Sequence, residues 1–203
     1  MSLSSGQAFN PEVIIAALID KGYAVIDCAI PGALAECRQA LQQVSDGDLR
    51  RAGVGRGQAQ TLNEVRRDKI HWLANAEHSI PLYAQAMEAL RQAANQAFYL
   101  GLFDFECHFA RYDAGDFYQK HWDAFRGEGN RRLSTIYYLN DAWQTRDGGE
   151  LLVYDQDNAD SVIETVVPMG GRLVVFFSEL FPHEVLAAQK PRHSLTGWFR
   201  LRQ

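Results

Sequence analysis

The chain has 203 residues, enough for one domain with a sizeable core. Its 47% apolar and 22% charged residues are ordinary for a soluble globular protein, and a net charge of −5 disfavours nucleic acid or an anionic membrane as the main partner. The three cysteines, Cys28, Cys37 and Cys107, lack CxxC spacing, which excludes a zinc ribbon or a disulfide framework and favours the cytoplasm.

Met1 to Gly6 lacks the features of a signal peptide, and no apolar run is long enough to span a bilayer. The first element is a helix that starts at Asn10-Pro11, where Asn caps and Pro fits the first helical position. Val13, Ile14, Ala17 and Leu18 follow helical spacing up to a stop at Gly22. Tyr23 to Cys28 reads as a strand, and Pro31 to Val44 as a second helix with Leu34, Cys37, Leu41 and Val44 on one face. All three cysteines read as small buried hydrophobes. Residues 46–64 are polar and carry Gly53, Gly55 and Gly57, which reads as a flexible loop, either functional or disordered at this length. Lys69 to Leu73 is a short strand, and Ser79 to about Leu100 a long Ala-rich helix.

The character of the chain changes near residue 100. Segments Phe105–Tyr112, Leu133–Leu139, Glu150–Tyr154, Val162–Val167, Arg172–Phe177, Glu184–Ala188 and Ser194–Leu201 are rich in β-branched and aromatic residues and bounded by turn formers. With a short strand over Phe117–His121, they predict an α+β fold: a double-stranded β-helix, or jelly roll, at 101–203, braced by the helices of 1–100 in one 1–203 domain.

Within that frame, His121-Trp122-Asp123 stands out. Residues i and i+2 of a strand share a face, so the imidazole and the carboxylate reach one point while Trp122 turns away. His183, in Phe181-Pro182-His183-Glu184-Val185, supplies a third ligand from a late strand. Two imidazoles and one carboxylate leave octahedral positions open, as suits non-haem iron(II). Arg192 lies nine positions after His183, on the final strand and the neighbour of the His183 strand by this reading. A buried guanidinium requires an anion, and a dicarboxylate co-substrate would supply it. A non-catalytic cupin-like metal module, a zinc hydrolase or an oxygenase acting on another substrate also fits the three ligands alone.

Tyr112 to Phe199 resembles the 2-oxoglutarate- and iron(II)-dependent prolyl 4-hydroxylases, most nearly the hypoxia-inducible-factor prolyl hydroxylases and their bacterial counterparts. The matching pieces are His121–Asp123, Ile136–Asn140, Gly148-Gly149, Pro182–Val185 and Arg192–Trp198, with Arg67–Trp72 upstream. The resemblance implies iron bound by His121, Asp123 and His183, and 2-oxoglutarate held by Arg192 and Tyr138. It also implies a pocket lined by Tyr112, Ile136, Leu151, Thr196 and Trp198, and a mobile substrate-covering loop at 46–66. The implied reaction is hydroxylation of a prolyl residue at C4 in a protein, with succinate and carbon dioxide as products and ascorbate as reductant. Elongation factor Tu is the partner suggested by the bacterial members. A second arginine six positions after the first, usual in the nucleic-acid demethylases, is replaced here by Trp198.

Overall fold

The computed structural model describes residues 8–53, 62–124, 127 and 129–202. The segment Met1–Gly6 and positions 54–61 of the expected loop lie outside the described residues.

Helix α1 (Pro11–Lys21) is capped as expected: Asn10 Oδ1 accepts from the Glu12 N–H at 3.0 Å, and Gly22, at φ 79°, donates its N–H to Leu18. Its buried stripe is Ile14, Ile15 and Leu18, whereas Val13 is half exposed. Strand β1 (Tyr23–Ile26) leads to α2 (Ala33–Gln42). The described flanks of the expected loop at 46–66 carry secondary structure. They form an edge strand β2 (Arg50–Arg51), paired with β3 (Lys69–Trp72), and a single helical turn α3 (Leu62–Val65). A short α4 (Ala76–Ser79) precedes the long α5 (Pro81–Phe98).

The strands that follow are β4 (Leu102–Tyr112), β5 (Tyr118–His121), β6 (Arg131–Tyr138), β7 (Leu151–Tyr154), β8 (Val162–Val166), β9 (Leu173–Phe177), β10 (His183–Val185) and β11 (Arg192–Leu201). Strand β4 starts three residues before its expected beginning, because the Asn95 side chain both accepts from the Leu102 N–H and donates to its carbonyl. Strand β10 is shorter than expected: past Val185 the chain bends, and the Ala187 carbonyl accepts from the Gly149 N–H.

All pairing is antiparallel, in a seven-stranded sheet β1-β9-β6-β11-β4-β3-β2 and a four-stranded sheet β5-β10-β7-β8. This is the jelly roll with helical bracing. The final strand does not neighbour β10, contrary to the expectation; the two consecutive strands lie in opposite sheets, so their residues approach across the interior.

Strand alternation divides the large sheet between two cores. Phe109, Leu133, Tyr137, Leu173, Val175, Leu195 and Phe199 pack with Ile14, Leu18, Tyr83, Met87 and Leu90 of the helices. The alternate residues Tyr112, Ile136, Tyr138, Val174 and Phe176 meet Leu151, Val153 and Val185 of the small sheet. Every even-numbered residue from Arg192 to Trp198 therefore points between the sheets, away from the helices. Cys37 and Cys107 are buried, but Cys28 is exposed at φ 49°, against expectation, because the chain turns there on leaving β1. Among the described residues no helix is long and apolar enough to cross a membrane.

Candidate metal centre and co-substrate pocket

The register of the small sheet sets His183 directly opposite His121, with ring centroids 4.3 Å apart. Asp123 follows just past the end of β5. Its two carboxylate oxygens lie 3.8 Å from His121 Nε2 and 3.7 Å from His183 Nε2. One ligand atom from each of the three residues falls within 4.8 Å of the others, the spacing of donors around one ion.

Each imidazole is oriented through its other nitrogen. His121 Nδ1 lies 2.7 Å from the Gln119 carbonyl and His183 Nδ1 3.1 Å from the Phe181 carbonyl. Donation to those carbonyls puts the proton on Nδ1 and leaves both Nε2 lone pairs facing the gap. Burial and then the neighbouring His183 push His121 down to about 3, so it is neutral at physiological pH. Burial alone would raise Asp123; the two histidines and a 2.6 Å hydrogen bond from Ser134 hold it down at about 2. Ser134 is itself 2.9 Å from Ser178. The Tyr118 ring stacks on His121 at 3.5 Å, and Phe176 packs edge-on against His183 at 4.7 Å. The centre thus combines two imidazoles and a carboxylate, with His121 neutral and Asp123 anionic and so ready to bind a metal without further proton loss.

The triad opens on a cavity of about 630 Å³ between the sheets. Pairing of β11 with β4 and β6 arranges its wall in rows: Arg192 beside Tyr112, Ser194 between Ala110 and Tyr138, Thr196 between His108 and Ile136, and Trp198 between Glu106 and Ser134. Arg192 is 1% exposed and has no carboxylate partner among the described residues. Its Nε donates to the Gly149 carbonyl at 2.8 Å, its Cζ lies 4.9 Å and 5.0 Å from the Tyr112 and Tyr138 ring centroids, and its Nη2 has no partner. The Tyr138 hydroxyl is also buried without one. An unpaired buried cation beside an unpaired hydroxyl is costly, and a carboxylate accepting from both would satisfy them. The residues present therefore fit a divalent ion and a dicarboxylate.

Residues 107–200 match the 2OG-Fe(II) oxygenase superfamily. A Pseudomonas putida prolyl-4-hydroxylase of known structure is 38% identical, with a TM-score of 0.82 over 95% of this chain and 99% of that one. The chain belongs to the 2OG-Fe(II) oxygenase superfamily. A Trichoplax adhaerens prolyl hydroxylase, solved with a hypoxia-inducible-factor peptide fragment, is 26% identical with a TM-score of 0.82 over 94% of this chain and 88% of that one. Human Egl nine homolog 1 is 30% identical over 70% of this chain, which spans 34% of the human protein.

In this superfamily member the structure brings together His121, Asp123, His183, Arg192, Tyr112, Ile136, Leu151, Thr196 and Trp198 around one cavity. Tyr138 stands apart from the lining residues, since its fully buried ring flanks the guanidinium instead. Several contacts around the cavity are not apparent from the sequence. Ser134, bonded to Asp123, shares its strand face with Ile136, a relation that i, i+2 parity could have supplied. Arg66 grips the buried Asp68 through both nitrogens of its fork, at 2.7 and 2.5 Å, and lies 4.2 Å over the ring of Tyr118, behind His121. His108, fully enclosed beside Trp72 and Trp198, is pushed down to about 3 by burial and then by Arg66 and Arg131. Nothing in the local sequence distinguishes it from a core histidine.

Proposed function

We propose that this protein is an iron(II)- and 2-oxoglutarate-dependent dioxygenase that hydroxylates a prolyl residue of a protein at C4. The observation that carries the reading is one cavity holding a His121–Asp123–His183 face together with a buried guanidinium that lacks an anion. A metal module with no co-substrate would leave Arg192 Nη2 and the Tyr138 hydroxyl unexplained. Thiolates are absent from the described cluster, and a three-ligand site with open positions suits iron(II). The choice of proline and of C4 draws support from the similarity to the Pseudomonas prolyl-4-hydroxylase along nearly the whole of both chains.

When bound, iron(II) and 2-oxoglutarate couple decarboxylation of the diacid, to succinate and carbon dioxide, to the insertion of oxygen into a C–H bond. The protein's part is binding, orientation and exclusion of water. His121 and His183 would present Nε2 to the ion, held by their Nδ1 hydrogen bonds. Asp123, kept anionic with help from Ser134, would complete the face. Arg192 and Tyr138 would take the distal carboxylate, which fixes the keto-acid end toward the ion. Tyr112, Ile136, Leu151, Thr196 and Trp198 would form the dry wall that aims the target carbon.

We take residues 1–203 to act as one unit, because helices α1, α2 and α5 share a buried cluster with the large sheet. Free cysteines fit work in the cytoplasm, and ascorbate would serve as reductant. Elongation factor Tu is the first partner to try. The test is incubation of the protein with iron(II), 2-oxoglutarate, ascorbate and a cell extract, followed by mass spectrometry. An added oxygen on proline, placed at C4 by fragmentation, is the expected result; oxidation confined to other residues, or none, would overturn the reading.

A further inference from the structure

Arg192 is aimed by a single hydrogen bond. Its Nε donates to the Gly149 carbonyl at 2.8 Å, and no other hydrogen bond from its fork is found among the described residues. Beyond that bond its Cζ lies 4.9 and 5.0 Å from the Tyr112 and Tyr138 ring centroids. Where the free Nη2 edge points is therefore decided by where the Gly149 carbonyl sits.

The peptide unit just before that carbonyl is held from outside the cavity. The peptide unit joining Gly148 to Gly149 is pinned at both ends: its oxygen accepts from Trp143 Nε1 at 2.8 Å, and its N–H donates to the Ala187 carbonyl at 3.2 Å. Both glycines have positive φ, 65° and 71°, so this turn has no side-chain preference of its own to hold it. A Cβ on Gly149 would lie 3.0 Å from Arg192 Cδ and 3.4 Å from Trp143 Cζ2, which shows the glycine sandwiched between the arginine stem and the indole. Trp143 is 6% exposed, with Lys190 Nζ 4.6 Å over its ring and 2.8 Å from Asp147. It is not a lining residue of the cavity.

We propose that Trp143 is a positioning residue for the co-substrate: its indole N–H fixes the Gly148–Gly149 peptide, which sets the carbonyl that aims Arg192 at the distal carboxylate. The inference rests on Arg192 being the partner of that carboxylate, as argued above. It predicts that losing the N–H weakens only those ligands that carry a second acid group.

The test is anaerobic calorimetry on the Mn(II)-loaded protein, with 2-oxoglutarate and with 2-oxobutanoate, which keeps the keto-acid end but lacks the distal carboxylate. Wild-type protein should bind the diacid more tightly. In Trp143→Phe, which keeps an aromatic ring, the Kd for 2-oxoglutarate should rise about three- to tenfold, the worth of one hydrogen bond. The Kd for 2-oxobutanoate should stay within about a factor of two, well under one hydrogen bond. Lys190→Met, which leaves the N–H in place, should change neither, and Trp143→Tyr replaces the Phe variant if that one fails to fold. An unchanged 2-oxoglutarate Kd in Trp143→Phe, or equal weakening of both ligands, would overturn the inference while leaving the reading of Arg192 intact. Equal wild-type affinity for the two ligands would overturn the Arg192 reading itself.

Discussion

Replacing Arg192 by methionine should leave the ligand-free protein nearly as stable as before and remove its stabilisation by 2-oxoglutarate. In the ligand-free fold the guanidinium is 1% exposed without an acidic partner among the described residues. Burying such a charge costs several kcal/mol. Two tyrosine rings return about 0.5–2 kcal/mol each, and the bond to Gly149 about 1.5–3 kcal/mol. The opposing contributions nearly cancel, so an apolar stem of similar length should shift stability by no more than about 1 kcal/mol. With ligand present the balance changes sharply. Breaking a buried charge pair costs about 2–5 kcal/mol, which corresponds to a roughly 30-fold to several-thousand-fold weaker Kd. Thermal unfolding of Mn(II)-loaded protein reads both effects. Diacid at a hundred times the wild-type Kd adds about 2.7 kcal/mol, or roughly 5–11 °C for a chain of this size. The variant should show almost none of that shift. A variant that loses more than about 3 kcal/mol without ligand, yet still responds to 2-oxoglutarate, would show Arg192 to be a structural ion rather than a ligand-binding one, since such a loss marks a broken buried network.

Other substitutions separate the metal centre from its surroundings. Asp123→Ala removes one of three ligands, and calorimetry with Mn(II) should show no saturable binding. Ser134→Ala keeps the ligands but frees the Asp123 carboxylate from its 2.6 Å bond; metal affinity should fall about 10–100-fold. His108 is pushed from 6.5 down to about 3, so the unfolded chain takes up its proton first and stability falls as pH drops below 6.5. By pH 5 that amounts to about 2 kcal/mol at 1.36 kcal/mol per pH unit. His108→Leu should therefore narrow the wild-type stability difference between pH 7 and pH 5 by about that amount, measured by urea unfolding.

Local chemistry explains which parts of this fold were legible in the sequence. Asn10, Pro11 and Gly22 mark the ends of α1 because capping and left-handed backbone need those residue types wherever the helix sits. The strands announced themselves through β-branched and aromatic runs, and His121 with Asp123 through i, i+2 parity. What stayed hidden depends on contacts far apart in sequence. Val13 and Ile15 exchange places with respect to the expected buried face because packing on β1 and α5 decides the rotation of α1. Arg192 was expected beside the His183 strand but faces it from the other sheet, a fact of strand order rather than of local pattern. The edge strand at Arg50–Arg51 exists only because β3 offers it a partner. His108 and Trp143 carry no motif; their surroundings give them meaning.

On this mechanism, splitting of a bound diacid drives oxygen transfer to a prolyl carbon in the cavity. Labelled dioxygen tests it most directly, with the iron(II)-loaded protein, 2-oxoglutarate and the prolyl substrate found in the extract experiment. One labelled atom should appear in succinate and the other in hydroxyproline, in equal yield, with both signals absent in Asp123→Ala. Hydroxyproline formed without labelled succinate, or equally by the Asp123→Ala protein, would show that diacid cleavage at this centre does not drive the hydroxylation.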